Sequence, residues 1–267
     1  MRELLARHDL HPKRALGQHF VVDPNTVRRI ARLAGVGPGD RVVEVGAGLG
    51  ALTLALAETG ASVTAVEVDR KLLPLLREVV EPAGVRVVEG DALRLDWDAV
   101  LGDERWVLVA NLPYNVATPL IADLLDEVRA IERMLVMVQR EVAERLAARP
   151  GDEAYGAVSV KVAYWATAAV RGRVPPSVFL PPPKVESALV DIRRRAEPAV
   201  ADVDREWLFT LVGTGFGQRR KMLRGSLAGV VGREEFACAG VRPEARPEEL
   251  DVAAWGRLAR CTTPPPS

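Results

Sequence analysis

The segment Asn111–Tyr114, with the sequence Asn-Leu-Pro-Tyr, places an amide, a proline and an aromatic ring directly after a run of apolar residues. The side-chain oxygen of Asn111 can accept a hydrogen bond. Pro113 has no backbone N–H, and Leu112 before it is restricted to extended conformations, so the segment presents carbonyl oxygens rather than donors. Two acceptors beside the flat face of Tyr114 suit an exocyclic amine on a planar ring.

Adenine N6 is such an amine, and it is a poor nucleophile because its lone pair is delocalised into the ring. Acceptors from Asn111 Oδ1 and from the Leu112 or Pro113 carbonyl would bind both amine hydrogens and favour a tetrahedral nitrogen. The lone pair could then attack an electrophilic methyl group in line, so catalysis would rest on positioning and electrostatics. An ordinary turn with Tyr114 packed on the core is the structural alternative.

Short apolar segments that alternate with helical segments must position Asn111. This alternation predicts an α/β fold with a doubly wound, mostly parallel sheet. Ligands bind beyond the carboxyl ends of the strands in such sheets. The predicted strands are 41–46, 62–69, 85–91, 106–111, 133–139 and a closing strand at 186–195; the predicted helices between them are 51–58, a stretch ending at Leu76, 117–129 and 140–148.

The first predicted strand runs into glycines at positions 46, 48 and 50. Glycine permits positive φ and close approach of a ligand to the backbone, and the start of the following helix offers N–H donors. Glu67 ends the next strand at the spacing that places a carboxylate on ribose hydroxyls, and Asp91 ends the third strand.

Two cofactors fit this turn. The glycines together with Ala51 satisfy the dinucleotide pattern G-x-G-x-x-G/A, so a nicotinamide cofactor stays open. Glu44 and the Gly-Asp-Ala-Leu segment at 90–93 favour S-adenosylmethionine. Its amino-acid end, ribose and adenine amine would meet the glycine loop, Glu67 and Asp91 in that order.

Beyond Glu197 the pattern contains helices only, which predicts a catalytic domain over 1–196 and a small helical domain over 197–267 with a disordered Pro-rich tail. Four basic side chains on the second helix are interpreted as RNA phosphate contacts, with a solvated helix face as the alternative. Glycines at 213, 215 and 217 follow helical sequence and are not interpreted as a nucleotide site. The predicted helices are 204–216, 219–228, 233–239 and 248–260, and the basic residues are Arg219, Arg220, Lys221 and Arg224.

The formal net charge is zero, but the charges are segregated along the chain. Residues 1–32 hold seven Lys/Arg against three Asp/Glu, and residues 33–110 hold seven against thirteen. Local basic regions beside a more acidic pocket suit a partner that carries phosphates, and solvated surface charge is the alternative for any single cluster. No apolar run is long enough to span a membrane, and no apolar signal region opens the chain, so we expect a cytoplasmic protein.

Histidine and cysteine content argues against metal and thiol chemistry. His8, His11 and His19 lack metal-site spacing, so no metal is expected. Cys238 and Cys261 give no disulfide framework, which favours a reducing compartment and packing or surface roles for both thiols.

The stretches GAGLG, VEVD, GDAL and NLPYNVATPL together resemble the ribosomal RNA adenine N6-dimethyltransferases. LGQHFVVD, VFLPPPKVESA and FGQRRKMLRGSL extend the resemblance to the bacterial small-subunit (16S) rRNA enzymes, over residues 13 to 260. The resemblance implies a Rossmann-like class I methyltransferase fold, S-adenosylmethionine as cofactor and the assembling 30S subunit as partner. It also implies dimethylation of two adjacent adenines in a hairpin near the 3′ end of that RNA. We expect a monomer.

The resemblance also assigns roles to individual residues. Beside the cofactor it places Gln18, His19, Val21, Gly46, Gly48 and Asn111, with Glu67 at its ribose and Asp91 and Ala92 at its adenine. At the target base it places Asn111 again, with Leu112, Pro113 and Tyr114, and with Phe179 stacked on the other face.

Two departures from the family pattern are His19 and Gly217, where the family usually has Asn. If a side chain at 19 makes the cofactor contact, that contact is in doubt; if the backbone makes it, His19 matters little. Three alternatives remain open. They are a large-subunit rRNA adenine methyltransferase, an RNA-binding assembly factor whose methylation is secondary, and a nicotinamide oxidoreductase.

Overall fold

The structure is a computed structural model that describes residues 17–113 and 116–264. The chain divides into two compact units, residues 1–143 with 169–194 and residues 144–168 with 195–267. The expected boundary at 196/197 lies close to the break after residue 194, but the second unit also takes in residues 144–168. The sequence pattern makes no prediction for residues 149–173.

The first unit alternates strands and helices along most of its length. The strands are β1 (Phe20–Val21), β2 (Arg41–Val45), β3 (Ser62–Glu67), β4 (Arg86–Glu89), β5 (Trp106–Asn111), β6 (Ile131–Gln139), β7 (Ala166–Val174), β8 (Phe179–Leu180) and β9 (Ser187–Arg194). The helices are α1 (Pro24–Ala34), α2 (Ala51–Ala57), α3 (Leu73–Val80), α4 (Trp97–Leu101), α5 (Ala117–Glu127) and α6 (Arg140–Ala147). The division between the units falls within α6 and β7.

Seven strands form one sheet in the order β4-β3-β2-β5-β6-β9-β7. The first five are parallel to their neighbours, and β9 runs antiparallel to β6. The predicted doubly wound, mostly parallel sheet is therefore confirmed. The strand order reverses between β2 and β5, because β2 is followed along the chain by β3 on one side and β5 lies on its other side. Ligands of such sheets bind at this switch point, beyond the carboxyl ends.

Apolar composition explains why the central strands form. Val42, Val43 and Val45 of β2 are buried, as are Leu108 and Val109 of β5. β-branched side chains fit a pleated surface, and parallel strands are covered by helices on both faces. The polar residues Glu44 and Asn111 interrupt these runs next to the switch point.

A two-stranded antiparallel ribbon lies outside the main sheet. Phe20 pairs with Leu180 and Val21 pairs with Phe179. The ribbon ties the segment before α1 to the segment before β9, although the two are about 160 residues apart in sequence. It thereby fixes the backbone of Gln18 and His19, which directly precede β1.

The second unit contains helices α7 (Ala157–Trp165), α8 (Arg205–Gly217), α9 (Leu223–Ser226), α10 (Arg233–Ala239) and α11 (Val252–Cys261). The predicted C-terminal helices are confirmed except for 219–228. That helix is shorter than predicted, because α8 ends at Gly217 and α9 spans only Leu223–Ser226. A turn closed by the Lys221 N–H on the Gln218 carbonyl lies between them.

Close packing in this unit explains one of its glycines. Gly215 on α8 faces Trp255 on α11, and a Cβ at position 215 would lie 2.6 Å from the indole ring. The glycine therefore allows two helices to approach, and it lies within a helix rather than in a ligand-binding loop.

The two cysteines form a disulfide. Packing of α10 against α11 brings Cys238 and Cys261 to a Cα–Cα distance of 6.0 Å, and their sulfurs are bonded. This corrects the expectation that two cysteines 23 residues apart give no disulfide. The expectation failed because helix packing, which the cysteine spacing does not reveal, decides their proximity.

Within residues 17–113 and 116–264, no helix is both long and apolar enough to cross a bilayer.

Candidate active site

The glycine turn lies at the carboxyl end of β2. Gly46 has φ +76° and Gly48 has φ +58°, conformations that glycine adopts without a steric cost. The N–H groups of Gly46 and Ala47 donate to the Val66 carbonyl at 2.9 and 3.2 Å, which ties the turn to β3. A Cβ at position 48 would lie 2.9 Å from the Phe20 ring, so the turn passes directly beneath the β1 ribbon.

Glu67 ends β3 and is 5% exposed. Its Oε2 accepts from the Gly48 N–H at 2.7 Å, and its Oε1 accepts from the N–H groups of Val68 at 3.0 Å and Asp69 at 2.8 Å. Burial raises the pKa of this carboxyl, and the three N–H donors oppose that rise. A carboxylate oxygen has two lone pairs, so Oε2 can accept one further hydroxyl hydrogen in this arrangement.

Glu44 is a second buried carboxyl beside the turn, at 2% exposure. Its Oε2 accepts from the Thr53 hydroxyl at 2.5 Å. Burial raises the pKa of Glu44 to about 8; the Thr53 hydrogen bond opposes this shift and the charge of Glu67 adds to it. Glu44 and Asn111 line the same small cavity, together with Val21.

Two larger cavities meet at the switch point. The first is lined by the glycine turn, Glu67 and the segment before β1, and the second by Asp91, Ala92 and apolar side chains. They share Gly46, Val68 and Pro113. We refer to the two adjoining cavities together as the cleft; its apolar end, beside Asp91, is lined mainly by apolar side chains.

The apolar end of the cleft includes residues that sequence reasoning missed. Val68 is 48% exposed and Leu93 is 41% exposed, although both are large aliphatic side chains. Val116 and Leu120 also line this end. An apolar residue directly after Glu67 and another inside the 90–93 segment are the signals that could have identified Val68 and Leu93. Asp91 Oδ1 accepts from the Leu93 N–H at 3.1 Å, which leaves acceptor capacity on its other oxygen.

Asn111 is held in one orientation at the carboxyl end of β5. Its Nδ2 donates to the His19 carbonyl at 2.9 Å. Because a carbonyl can only accept, the amide nitrogen must face His19 and Oδ1 must point the other way. The site thus has a side-chain acceptor of fixed direction, and its contact with a target amine stays a prediction.

Of the two carbonyls considered for the second acceptor, one is already used. The Pro113 carbonyl accepts from the N–H groups of Val116 at 3.2 Å and Ala117 at 3.1 Å, where α5 begins. These two donors fill its lone pairs. The Leu112 N–H donates to the Met137 carbonyl at 3.1 Å, which anchors Leu112 to β6. Leu112 is therefore the better candidate for the second acceptor. Tyr114 lies outside the described residues.

The residues before β1 line the first cavity. Gln18 Nε2 donates to Asp69 Oδ2 at 3.1 Å. His19 Nδ1 lies 2.7 Å from the Pro181 carbonyl, where it can donate in the tautomer that carries hydrogen on Nδ1. The ring of His19 thus contacts the loop after β8, while its backbone contacts Asn111. Val21 is buried at 7% exposure.

Phe179 is not among the residues that line the described cavities. It is 3% exposed and packs in the core with Val21, Val27 and Ile30. Its backbone pairs with that of Val21, and its ring is buried. Its stacking role stays a prediction, and stacking would require the ring to leave its place in the core.

The basic residues of the second unit lie on the turn between α8 and α9 and at the start of α9. Arg219 Nη2 donates to the Glu153 carbonyl at 2.7 Å, and Arg224 lies 3.8 Å from Glu244. Arg219 is therefore engaged in a hydrogen bond within the second unit. Arg220 and Lys221 lie on the surface. Contact between this segment and RNA stays a prediction.

Among the residues that the structure describes, no group of three or more His, Cys, Asp or Glu side chains could hold a metal ion.

Comparisons with known proteins agree with this architecture. A family model described as ribosomal RNA adenine dimethylase matches residues 10–263. The chain is 46% identical to a ribosomal RNA small subunit methyltransferase A of Magnetococcus marinus, covering 98% of this chain and 95% of that one. It is 47% identical to the protein of the same name from Thermobifida fusca, covering 97% and 93%.

Two solved structures are similar over most of the chain. The 23S rRNA methyltransferase ErmE matches with a TM-score of 0.71 and 29% identity, covering 91% of this chain and 98% of that one. A dimethyladenosine transferase from Plasmodium falciparum matches with a TM-score of 0.77 and 23% identity, covering 90% and 96%, which supports the fold alone.

Proposed function

The chain belongs to the ribosomal RNA adenine dimethylase family, and we propose that it transfers methyl groups from S-adenosylmethionine to the N6 amines of two adjacent adenines in a hairpin near the 3′ end of small-subunit (16S) rRNA. The observation that carries the proposal is the fixed Asn111 amide, whose Oδ1 faces away from the His19 carbonyl beside the cleft. The small-subunit assignment draws on relatives of 46% and 47% identity that bear that name.

The residues along the cleft match the parts of the proposed cofactor in order, from its amino-acid end through its ribose to its adenine. The glycine turn would hold the amino-acid end, and Glu67 Oε2 would accept one ribose hydroxyl. Asp91 would accept from the adenine amine, with Val68 and Leu93 against the faces of the base. The exposure of these two aliphatic side chains supports the fit, because burying them under a flat ring removes apolar surface from water.

When bound, S-adenosylmethionine supplies an electrophilic methyl group on a sulfonium. In the first transfer, Asn111 Oδ1 and the Leu112 carbonyl accept the two N6 hydrogens of the target adenine, which holds the nitrogen at a fixed position. In the second transfer, one of these acceptors binds the single hydrogen that remains on N6. Acceptors aimed at both hydrogens favour a tetrahedral nitrogen and stabilise the positive charge that develops on it. No residue needs to remove the proton before transfer, since the alkylated nitrogen is acidic and loses it afterwards.

The RNA must deliver an unstacked base to this site. Removing a base from a stack costs a few kcal/mol, which a planar side chain against the base can offset. Tyr114 is the proposed platform, and Phe179 would stack on the opposite face only after its ring leaves the core. The exposed Arg220 and Lys221 of the second unit are proposed to contact phosphates. One chain supplies all of these groups, and the assembling 30S subunit that it would modify is cytoplasmic.

Methyl transfer with a labelled cofactor tests the proposal. The protein is incubated with undermethylated small subunits, and the labelled nucleosides are separated after digestion of the RNA. Label recovered as N6,N6-dimethyladenosine is expected. Preferential transfer to large-subunit RNA would favour the activity named for ErmE, and transfer to neither RNA would refute the proposal. Calorimetric binding of NAD in preference to S-adenosylhomocysteine would revive the oxidoreductase alternative.

One variant distinguishes the proposed catalytic role from the assembly-factor alternative. Asn111→Ala should slow methyl transfer by about 10²–10³-fold and leave binding of the small subunit intact. If assembly defects persist in cells that express this variant at normal levels, the catalytic role is primary. If the defects disappear, binding is the primary role.

A further inference from the structure

Arginines converge on one side of the first unit, away from the groups assigned to catalysis. We name this region the arginine face. It comprises Arg28, Arg29 and Arg32 on α1, Arg133 on β6, Arg171 and Arg173 on β7, and Arg193 on β9.

A buried carboxylate organises the centre of the arginine face. Asp191, at 3% exposure, accepts from Arg133 Nε at 2.9 Å, Arg171 Nη2 at 2.7 Å and Arg193 Nε at 3.1 Å. One negative charge thus holds three positive ones. The side chains of Arg171 and Arg193 remain 46% and 58% exposed. Each guanidinium carries five N–H groups, so donors beyond those used on Asp191 remain.

Hydrogen bonds connect the strands of the arginine face to α1. Arg133 donates to the carbonyls of Leu33 and Ala34 at the end of α1, at 3.0 and 2.6 Å. Arg29 donates to the Arg173 carbonyl at 3.1 Å. Because Arg29 and Arg32 are three residues apart, they are neighbours on the helix surface. The basic side chains of α1 therefore continue those of β7.

β7 is an edge strand of the main sheet, and most of its residues are exposed or half-buried. Arg28 and Arg32 line a groove between α1 and α2, and the carboxylate Glu58 lines the same groove. Arginine forks bind phosphate oxygens in pairs, and a row of them follows a phosphate backbone without reading its sequence. Arginines on an exposed edge strand could instead serve only to discourage strand pairing between molecules.

We infer that the arginine face binds the phosphate backbone of the substrate rRNA, as a second RNA contact separate from the basic segment of the helical unit. The inference rests on the proposed function for the identity of the RNA. The Asp191 cluster keeps the guanidinium groups in place before RNA arrives, so less side-chain freedom is lost on binding. Contacts on two surfaces of the chain would then set the orientation in which the target base reaches Asn111.

The test uses the full chain with Arg32→Gln and Arg173→Gln combined. Neither side chain bonds to Asp191, so the buried cluster stays intact. The matched control combines Arg77→Gln on α3 with Arg86→Gln on β4, the opposite edge of the sheet. The control removes the same number of positive charges as the test variant.

Affinity for deproteinised small-subunit rRNA and for undermethylated small subunits is measured over a range of KCl concentrations. We expect the test variant to bind both about tenfold more weakly near 0.1 M salt, with the slope of log K against log salt reduced by about 1 to 2. The control variant should match the wild type, and all proteins should bind S-adenosylhomocysteine equally.

Wild-type affinity and slope in the test variant would overturn the inference while leaving the proposed function intact. Weaker binding to whole subunits alone, with rRNA binding unchanged, would assign the face to a ribosomal protein and would equally overturn it. If the wild type neither binds rRNA nor methylates it, the proposed function itself fails.

Discussion

The amide nitrogen of Asn111 donates to the backbone carbonyl of His19 at 2.9 Å. This bond crosses from β5 to the segment before β1, whose position depends on the pairing of Phe20 with Leu180. The direction of the Asn111 oxygen is thus set by a backbone group that is itself fixed by the ribbon. Methyl transfer to adenine N6 depends on that direction. Substitutions of Asn111 and of His19, at the two ends of the bond, should therefore affect the reaction differently.

Asn111→Asp should be as inactive as Asn111→Ala, although aspartate retains acceptors. One carboxylate oxygen would face the His19 carbonyl, and the repulsion would turn the side chain away. We expect kcat to fall by about 10²–10³-fold in both variants, the range measured when one preorganised polar group is lost. Single-turnover methyl transfer measures the effect, with S-adenosylhomocysteine binding as the control for folding. Retention of about a tenth or more of the wild-type rate by Asn111→Asp would contradict the proposed role of the amide, since that loss falls short of the expected range.

His19→Asn should keep kcat within about threefold, because the contact to Asn111 comes from the backbone. His19→Ala should also remain active but lose about 1 kcal/mol of unfolding free energy with the bond to the Pro181 carbonyl. Steady-state kinetics and urea unfolding measure these two quantities. A large fall in kcat for both variants, with normal stability, would show that the ring itself acts in the reaction.

The pKa of Glu44, raised by burial to about 8, makes stability depend on pH. A carboxyl whose folded pKa exceeds its unfolded value of about 4.3 stabilises the fold below that value, and the stabilisation is lost as pH rises through about 8. Glu44→Gln removes this titration. The difference in unfolding free energy, wild type minus variant, should therefore decrease as the pH is raised from about 5.5 to about 8.5. Urea unfolding without cofactor measures it, and a constant or rising difference would contradict the assignment.

Asp191→Asn should destabilise the first unit. Burial alone would raise the pKa of Asp191, but hydrogen bonds from Arg133, Arg171 and Arg193 outweigh it and lower the pKa. The bonds between ionised Asp191 and its arginines stabilise the fold above the unfolded pKa of about 3.9, and this stabilisation is lost as the pH falls below that value. Because two of the arginines are half exposed, we expect a loss of about 2–4 kcal/mol at about pH 7.

Glu89→Gln is the matched control for this prediction. It breaks the exposed pair with Arg70 and should cost at most about 1 kcal/mol. Equal urea midpoints for the two variants would mean that the buried cluster contributes no more than a surface ion pair.

Local patterns predicted the parts of the fold that local chemistry determines. Gly46, Glu67 and Asn111 follow apolar runs, and parallel strands bring their carboxyl ends to one edge of the sheet. Their convergence could therefore be inferred without coordinates. The choice of the Leu112 carbonyl over that of Pro113 could not, because it depends on where the N–H groups at the start of α5 donate.

Contacts between residues that are far apart in the chain could not be predicted from the sequence pattern. Nothing near Phe179 indicates that it pairs with Val21 and is buried in the core. The segment that carries Arg219 has helical composition, yet the chain turns there because α8 ends at Gly217. The sequence does not indicate the Asp191 cluster, because the three arginine partners of Asp191 lie on three different strands.

The role of Asn111 can be decided by a structure with a bisubstrate analogue, in which adenosine N6 is joined to the position of the cofactor sulfur. We expect N6 to lie within about 3.2 Å of both Asn111 Oδ1 and the Leu112 carbonyl oxygen, with Asn111 Nδ2 still on the His19 carbonyl. An N6 atom bonded to the Pro113 carbonyl, or an Asn111 amide turned so that Nδ2 faces N6, would refute the proposed geometry of transfer.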